Sequence, residues 1–316
     1  MNRSNDMKEP ILKVKNLGVS FSQYAKGLRR SNLKVITNLD IDLYKGEIVA
    51  VVGSSGSGKS LLAHAILGIL PKNSTTEGSI VYENQELDKK RKEKLRGKEI
   101  VLIPQSVNYL DPLMKVSKQV KLSIDNKKEA NKIQRNIFSK YGLSKKVDNM
   151  YPFQLSGGMA RKVLLSSALV SNTKVIIADE PTPGLDENSL NEALGHFRDL
   201  ANNGCAVLMI THDIEAALKI ADKIAVFYAG TTLEIANTED FKDGIKNLRH
   251  PYTKSLYKAL PQNEFKGIKG SQPQPNKLPK GCLFYERCDI KTKECSYYRP
   301  EMKVLRDGKV RCIHAT

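Results

Sequence analysis

The stretch Val51-Val-Gly-Ser-Ser-Gly-Ser-Gly-Lys-Ser-Leu61 decides how the rest of the chain is read. It sets Gly-x4-Gly-Lys-Ser directly behind an apolar, β-branched run, Ile48 to Val52, so a strand is expected to end at Val52 and a helix to begin near Lys59. Glycines at 53, 56 and 58 let the backbone wrap with its N–H groups inward, and the positive end of the helix dipole faces the same point. A triphosphate fits such a loop. Gly53, Ser54, Ser55, Gly56, Ser57, Gly58, Lys59, Ser60 and Leu61 are the candidate nucleotide contacts. Among them Lys59 reaches the β- and γ-phosphates and the Ser60 hydroxyl holds Mg2+. The apolar positions that follow (Leu61, Leu62, Ala65, Ile66, Leu70) are spaced as on one face of a helix.

Further segments place polar residues at the ends of apolar strands. Lys174-Val-Ile-Ile-Ala-Asp-Glu180 reads as a buried strand ending in two carboxylates. Asp179 suits Mg2+, and Glu180 suits orienting or deprotonating the water that attacks a γ-phosphate. Ile100-Val-Leu-Ile-Pro-Gln105 ends in an amide whose oxygen can bind Mg2+ or that water. Gly204-Cys-Ala-Val-Leu-Met-Ile runs into Thr211-His-Asp213, where His212 can donate to a γ-phosphate oxygen. Cys205 begins that strand as a small core residue. Parallel α/β sheets bind ligands at the carboxyl ends of their strands, and this series follows the rule. Leu155-Ser-Gly-Gly-Met159 opens a helical pattern, so Ser156, Gly157 and Gly158 form a second anion-binding helix start, one without a lysine.

With 316 residues, 40% of them hydrophobic, the chain holds one large α/β domain and a smaller appendage. No stretch approaches the roughly 18 to 20 apolar residues that span a bilayer, and Met-Asn-Arg-Ser-Asn-Asp opens the sequence without an apolar secretory segment, so a cytosolic location is expected. The net charge of +17 invites a nucleic-acid or anionic-membrane reading. The lysines, however, are spread along the chain, and the one dense run, Lys89 to Lys98, is interrupted by Glu93 and suits a solvated helix face. Residues 10 to 24 alternate as a half-buried strand does, and a second strand is expected at Val35 to Leu43. In the loop between them, Phe21 and Tyr24 are candidates to stack on a purine, with a core role for Phe21 as the other reading. From Asp88 to Tyr151 the sequence is charged and helix-favouring, with an amphipathic helix over Lys127 to Lys140.

In this order the segments resemble the nucleotide-binding subunit of an ATP-binding cassette (ABC) transporter. Val51 to Leu61 resembles the family's Walker A motif and Gln105 its Q-loop. Leu155 to Met159 resembles its signature, Val175 to Glu180 its Walker B, Gly184 to Asp186 its D-loop and His212 its switch histidine. The resemblance implies an α/β, P-loop NTPase fold of the ABC type at 8–245 with a helical subdomain at about 88–165. It implies ATP as substrate, Mg2+ held by Ser60, Gln105 and Asp179, and Glu180, His212 and Gln105 as catalytic residues. It further implies a head-to-tail dimer in which Ser156, Gly157 and Gly158 face the partner's ATP. Two departures stand out: Arg161-Lys162 where the family has Gln-Arg, and Pro183-Gly184 where Thr-Ala is usual.

Past Tyr228-Ala-Gly comes His250-Pro-Tyr-Thr-Lys-Ser-Leu-Tyr-Lys-Ala-Leu-Pro261, then a Pro- and Gly-containing linker and Cys282, Cys288, Cys295 and Cys312, separated by five, six and sixteen residues. Four clustered thiols in a cytosolic protein point to metal rather than to disulfides, and a four-cysteine set suits zinc, an iron–sulfur cluster or free thiols. Residues 246–316 resemble the small Cys-rich C-terminal extension of the oligopeptide, dipeptide and nickel importer ATPases. There, the resemblance implies, the cysteines carry a [4Fe–4S] cluster. It also implies a subunit at the cytoplasmic face of the cell membrane that energises import of oligopeptides or dipeptides, the alternative being nickel or a metal chelate. Its implied partners are a homologous second ATPase in a heterodimer, two transmembrane permease subunits and an extracytoplasmic substrate-binding protein, with no nucleic acid. A cassette ATPase of translation or DNA repair is set aside, because tandem cassettes and a long coiled-coil insertion are lacking.

Overall fold

The computed structural model describes residues 9–24, 30–54, 56–124, 126–170 and 173–316. Ser55, Lys8 at the expected start of the cassette, and residues 25–29 of the expected loop lie outside them. The chain opens with strands β1 (Leu12–Tyr24) and β2 (Arg30–Leu43), then β3 (Ile48–Val52) and helix α1 (Lys59–Leu67). Strands β4 (Ser74–Tyr82) and β5 (Gln85–Glu86), helix α2 (Lys89–Leu95) and strand β6 (Ile100–Ile103) follow. Helices α3 (Val116–Leu122), α4 (Ala130–Lys140) and α5 (Gly157–Leu169) lead to β7 (Val175–Asp179), α6 (Glu187–Asn202), β8 (Ala206–Thr211) and α7 (Ile214–Ile220). Strands β9 (Lys223–Tyr228) and β10 (Thr231–Asn237), helix α8 (Pro251–Lys258) and strands β11 (Lys303–Leu305) and β12 (Gly308–Val310) complete the order.

The main sheet runs β11-β12-β10-β9-β3-β8-β7-β6. Its centre, from β9 to β6, is parallel, and β3 and β7 are buried at every position, as β-branched runs covered on both faces are. Register then does the positioning. Val52 lies beside Thr211, Asp179 beside Ile210 and Ile103 beside Ala178, so all these strands end along one edge. An antiparallel sheet β2-β1-β4-β5 shares a core with one face of the main sheet through Leu12, Val14, Leu39, Val51, Leu62 and Phe227. Phe21 packs against this core, whereas Tyr24 is 68% exposed.

A third cluster gathers Val116, Val120, Phe138, Leu143 and Val163 beneath α3, α4 and α5. This is the expected helical lobe, although β6, inside the expected span, belongs to the main sheet. Helix α4 begins at Ala130 rather than Lys127, with Glu129 at its N-cap. Helix α5 contributes Ala160 and Val163 to the lobe and Leu165 and Ala168 to the main core, so one rigid helix joins the two.

The extension packs on the same core. Leu283 and Phe284 are buried in the cluster that holds Tyr228, Leu233 and Tyr252, each such burial stabilising by about 1.5 to 3 kcal/mol. Strand β12 pairs antiparallel with β10, carrying the main sheet into the last residues. Arg249, almost fully buried, ties these parts together. Its Nη1 reaches Asp240 Oδ2 at 2.8 Å and Glu234 Oε1 at 3.4 Å, and its Nε donates to Leu305 O at 2.8 Å. Among the described residues no helix is long and apolar enough to cross a membrane.

Candidate functional site

The loop after β3 closes on its own lysine. Lys59 is 5% exposed, and its Nζ donates to Gly53 O at 2.8 Å and Ser54 O at 3.0 Å. Burial pulls its pKa down, while Glu180 and Asp179 oppose that shift. Gly56 and Gly58 adopt φ of 74° and 95°, and Gly58 is the left-handed N-cap of α1, a conformation that side chains disfavour. Gly53 answers to a different constraint: a Cβ there would lie 2.2 Å from Phe227 O on β9. Ser57 Oγ is buried with no hydrogen-bond partner, a polar atom left over inside a phosphate-shaped loop. These features fit a nucleotide phosphate, whose oxygens supply the acceptor that Ser57 lacks and a counter-charge for Lys59.

Facing the loop, Ser60 Oγ donates to Asp179 Oδ1 at 3.0 Å. Burial raises the Asp179 pKa, the Ser60 bond opposes the rise and the neighbouring Glu180 adds to it. Two oxygens thus meet at the loop mouth in a place that favours a cation, which is the fit expected of Mg2+. Gln105, expected as a third ligand, is exposed in the loop past β6 and makes no hydrogen bond to Ser60 or Asp179. Glu180 has φ 47°, an unfavourable conformation for a side-chain-bearing residue, and is held there by its N–H donating to Ile210 O at 2.8 Å. Its Oε2 lies 2.7 Å from His212 Nδ1, with Glu180 largely buried and His212 about half exposed. The structure therefore brings Lys59, Ser60, Asp179, Glu180 and His212 together, and Gln105 makes no hydrogen bond to any of them.

The second helix start forms as expected: Ser156 caps α5 by accepting from Met159 N at 3.2 Å. Gly157 and Gly158 would meet nothing within 4 Å if given a Cβ, so this end of α5 is open to an incoming group. The two departures in sequence prove to be one contact. The Arg161 guanidinium donates to the carbonyls of both Pro181 and Pro183, joining α5 to the loop before α6. Lys162 pairs with Glu192 on α6 at 2.9 Å. A further link was illegible in sequence: Ser54 Oγ donates to Gln272 Oε1 at 2.7 Å, so the linker of the extension touches the phosphate loop.

In the extension, Cys282, Cys288, Cys295 and Cys312 line one cavity together with His250. The expected metal site is not supported by the geometry: among the described residues, no group of three or more His, Cys, Asp or Glu side chains is arranged to hold a metal ion. A single zinc requires its sulfurs at about 2.3 Å from one point, a convergence this cage lacks. The donor chemistry still fits a larger group. Burial pushes the Cys282 thiol up to about 11 and raises Cys288 and Cys312, with the neighbouring sulfurs adding to the rise. The backbone at Phe284, Ile290 and His314 opposes that rise at Cys282, Cys288 and Cys312. Crowded buried thiols are poised for a positive centre, which removes the cost of their charge. His250 is fully buried, and burial together with Lys254 depresses its pKa to about 3.

Comparison with known proteins agrees with this geometry. The chain belongs to the ATP-binding subunits of ABC transporters. The family model described as ABC transporter matches residues 36–183, and one described as the C-terminal region of oligopeptide/dipeptide transporters matches 233–295. The chain is 32% identical to the dipeptide transport ATP-binding protein DppD of Bacillus subtilis, over 95% of this chain and 93% of that one. It is 33% identical to the oligopeptide transport ATP-binding protein OppD of Escherichia coli, over 96% and 92%. The solved post-hydrolysis dimer of the ATP-binding cassette MJ0796, bound to ADP and Pi, superposes with a TM-score of 0.62 at 28% identity, covering 72% of this chain and 98% of that one.

Proposed function

We propose that this chain is the ATP-hydrolysing subunit of an importer of oligopeptides or dipeptides, working at the cytoplasmic face of the cell membrane. The observation that carries the reading is the pairing at the sheet edge: Ser60 with Asp179, and Glu180 with His212, both beside the Lys59 loop. In this reading the loop N–H groups and Lys59 hold the phosphates. Mg2+, when bound, spreads the charge that builds on the transferring phosphoryl group. Glu180 accepts the proton of the attacking water, and its short bond to His212 fixes the carboxylate while the exposed face of the imidazole stays free to meet the γ-phosphate.

Ser156, Gly157 and Gly158 lie at an open helix end with no phosphate of their own, which supports a head-to-tail arrangement with a homologous second ATPase. Two permease subunits and an extracytoplasmic binding protein complete the proposed assembly. The names of the relatives and the matched C-terminal region support peptide cargo over nickel or a metal chelate. Residues 8–245 serve as the cassette and 246–316 as its extension, and the four cysteines are read as ligands of a [4Fe–4S] cluster, supported by their shared cavity.

The test is Glu180→Gln in the assembled complex. Nucleotide binding should persist while turnover falls by about two or more orders of magnitude, the scale of a lost general base. Turnover near that of the unaltered complex removes Glu180 from this role.

A further inference from the structure

We infer that His250 supplies a hydrogen bond from Nε2–H to sulfur in the cysteine cage, linking the cassette core to the group the cage holds. The inference rests on reading the four cysteines as cluster ligands. His250 is the N-cap of α8, and its Nδ1 accepts from Tyr252 N at 2.9 Å. An imidazole that accepts at Nδ1 carries its proton on Nε2. That Nε2 is fully buried and has no hydrogen-bond partner.

The cap alone does not explain the residue. Asn, Asp or Ser would accept the same N–H without burying a second polar atom. The Nε2 edge is the part of the ring that the helix does not use, and the ring lines the cavity formed by Cys282, Cys288, Cys295 and Cys312. The other histidine on that cavity, His314, is already engaged, its Nε2 lying 2.9 Å from Thr292 Oγ1. No acceptor, sulfur included, lies within hydrogen-bond reach of Nε2, so the bond is one made to a sulfur of the filled cage.

Tyr252 orients the ring, and the cassette anchors the backbone that carries it. The His250 backbone N–H donates to Glu234 Oε2 at 2.8 Å, and Glu234 lies on β10, beside β9, which in turn pairs with the phosphate-loop strand β3. Its bond to sulfur therefore crosses from the sheet that holds nucleotide to the four-thiol cage. A donor to a ligand sulfur draws charge from it and favours the more negative, reduced form, which raises the reduction potential.

Two variants separate the roles in the full chain, purified anaerobically. His250→Asn keeps a cap acceptor and loses the far donor; His250→Gln has the reach to restore a donor near Nε2 but gives up the Nδ1 cap. With iron and acid-labile sulfide retained, the Asn chain should show a lower reduction potential in a redox titration followed by electron paramagnetic resonance, and the Gln chain should recover part of the difference. Unchanged potentials in both iron-loaded variants overturn the inference while leaving the cluster reading intact. Absence of iron and sulfide from the unaltered chain overturns the cluster reading and the inference with it. Should the Asn chain fail to fold, the unaltered chain labelled with 15N in its histidine rings decides the matter. A hyperfine coupling from an imidazole nitrogen to the reduced cluster, kept in His314→Gln, supports the bond, and no coupling overturns it.

Discussion

Arg249→Met tests whether the buried cation is what holds the extension in the main sheet. Methionine keeps much of the packing length but removes every donor. Arg249 and Glu234 are 1% and 0% exposed, so water cannot replace what is lost. Glu234 keeps backbone bonds from Arg249 N at 2.9 Å and His250 N at 2.8 Å, yet its charge stays buried without a counter-ion, and Leu305 O loses its side-chain donor. Breaking a buried pair from one side costs about 3 to 5 kcal/mol, a large share of a domain stability of about 5 to 15 kcal/mol. Urea unfolding should show that loss, and limited proteolysis should open the chain near β11 and β12 first. A loss below about 1 kcal/mol refutes the uncompensated Glu234 charge as the main source of the destabilisation.

Gly53→Ala places a methyl 2.2 Å from Phe227 O, and overpacking of about 1 to 3 kcal/mol displaces the loop, so nucleotide affinity should fall by about five- to more than a hundredfold. A fluorescent-nucleotide titration checks it, and unchanged affinity in the folded variant sinks the steric account. His196 concerns pH. Burial between α6 and the Tyr141 ring lowers its pKa below 6.5, against the pull of Glu192 and Asp199 and with a small push from Lys162. Below 6.5 the unfolded chain takes up a proton that the folded chain resists, so this contribution is full above 6.5 and is lost as pH falls through the lower folded value. His196→Phe should flatten the stability loss between about pH 7 and pH 5 in urea titrations, and an identical slope in both chains excludes His196 as its source.

The polar strand-end edge was legible in sequence because its pattern is local. A loop needs its glycines within a few residues of its lysine, and a strand end needs only an apolar run followed by Asp179-Glu180 or by His212. Parallel register then aligned Val52, Asp179 and Thr211 without further instruction. The helix cap at Ser156 was local in the same sense, satisfying an N–H group three residues on. The Glu180–His212 bond, the Arg161 grip on Pro181 and Pro183, and the Gln272 contact with Ser54 depend on distances across the fold, and no spacing along the chain encodes them. Sequence marked Arg161 and Pro183-Gly184 as departures, but only packing joined them into one contact. For the extension, sequence established four clustered thiols, in a stretch that holds few large apolar residues of its own. Tertiary structure decided where the missing core comes from: Leu283 and Phe284 enter the cassette's own cluster and β12 joins its sheet. It also decided that Nε2 of His250, in sequence only the start of a His-Pro-Tyr run, is left without a hydrogen-bond partner in the cavity of the thiols, because burial and the direction of a ring nitrogen are properties of the folded chain alone.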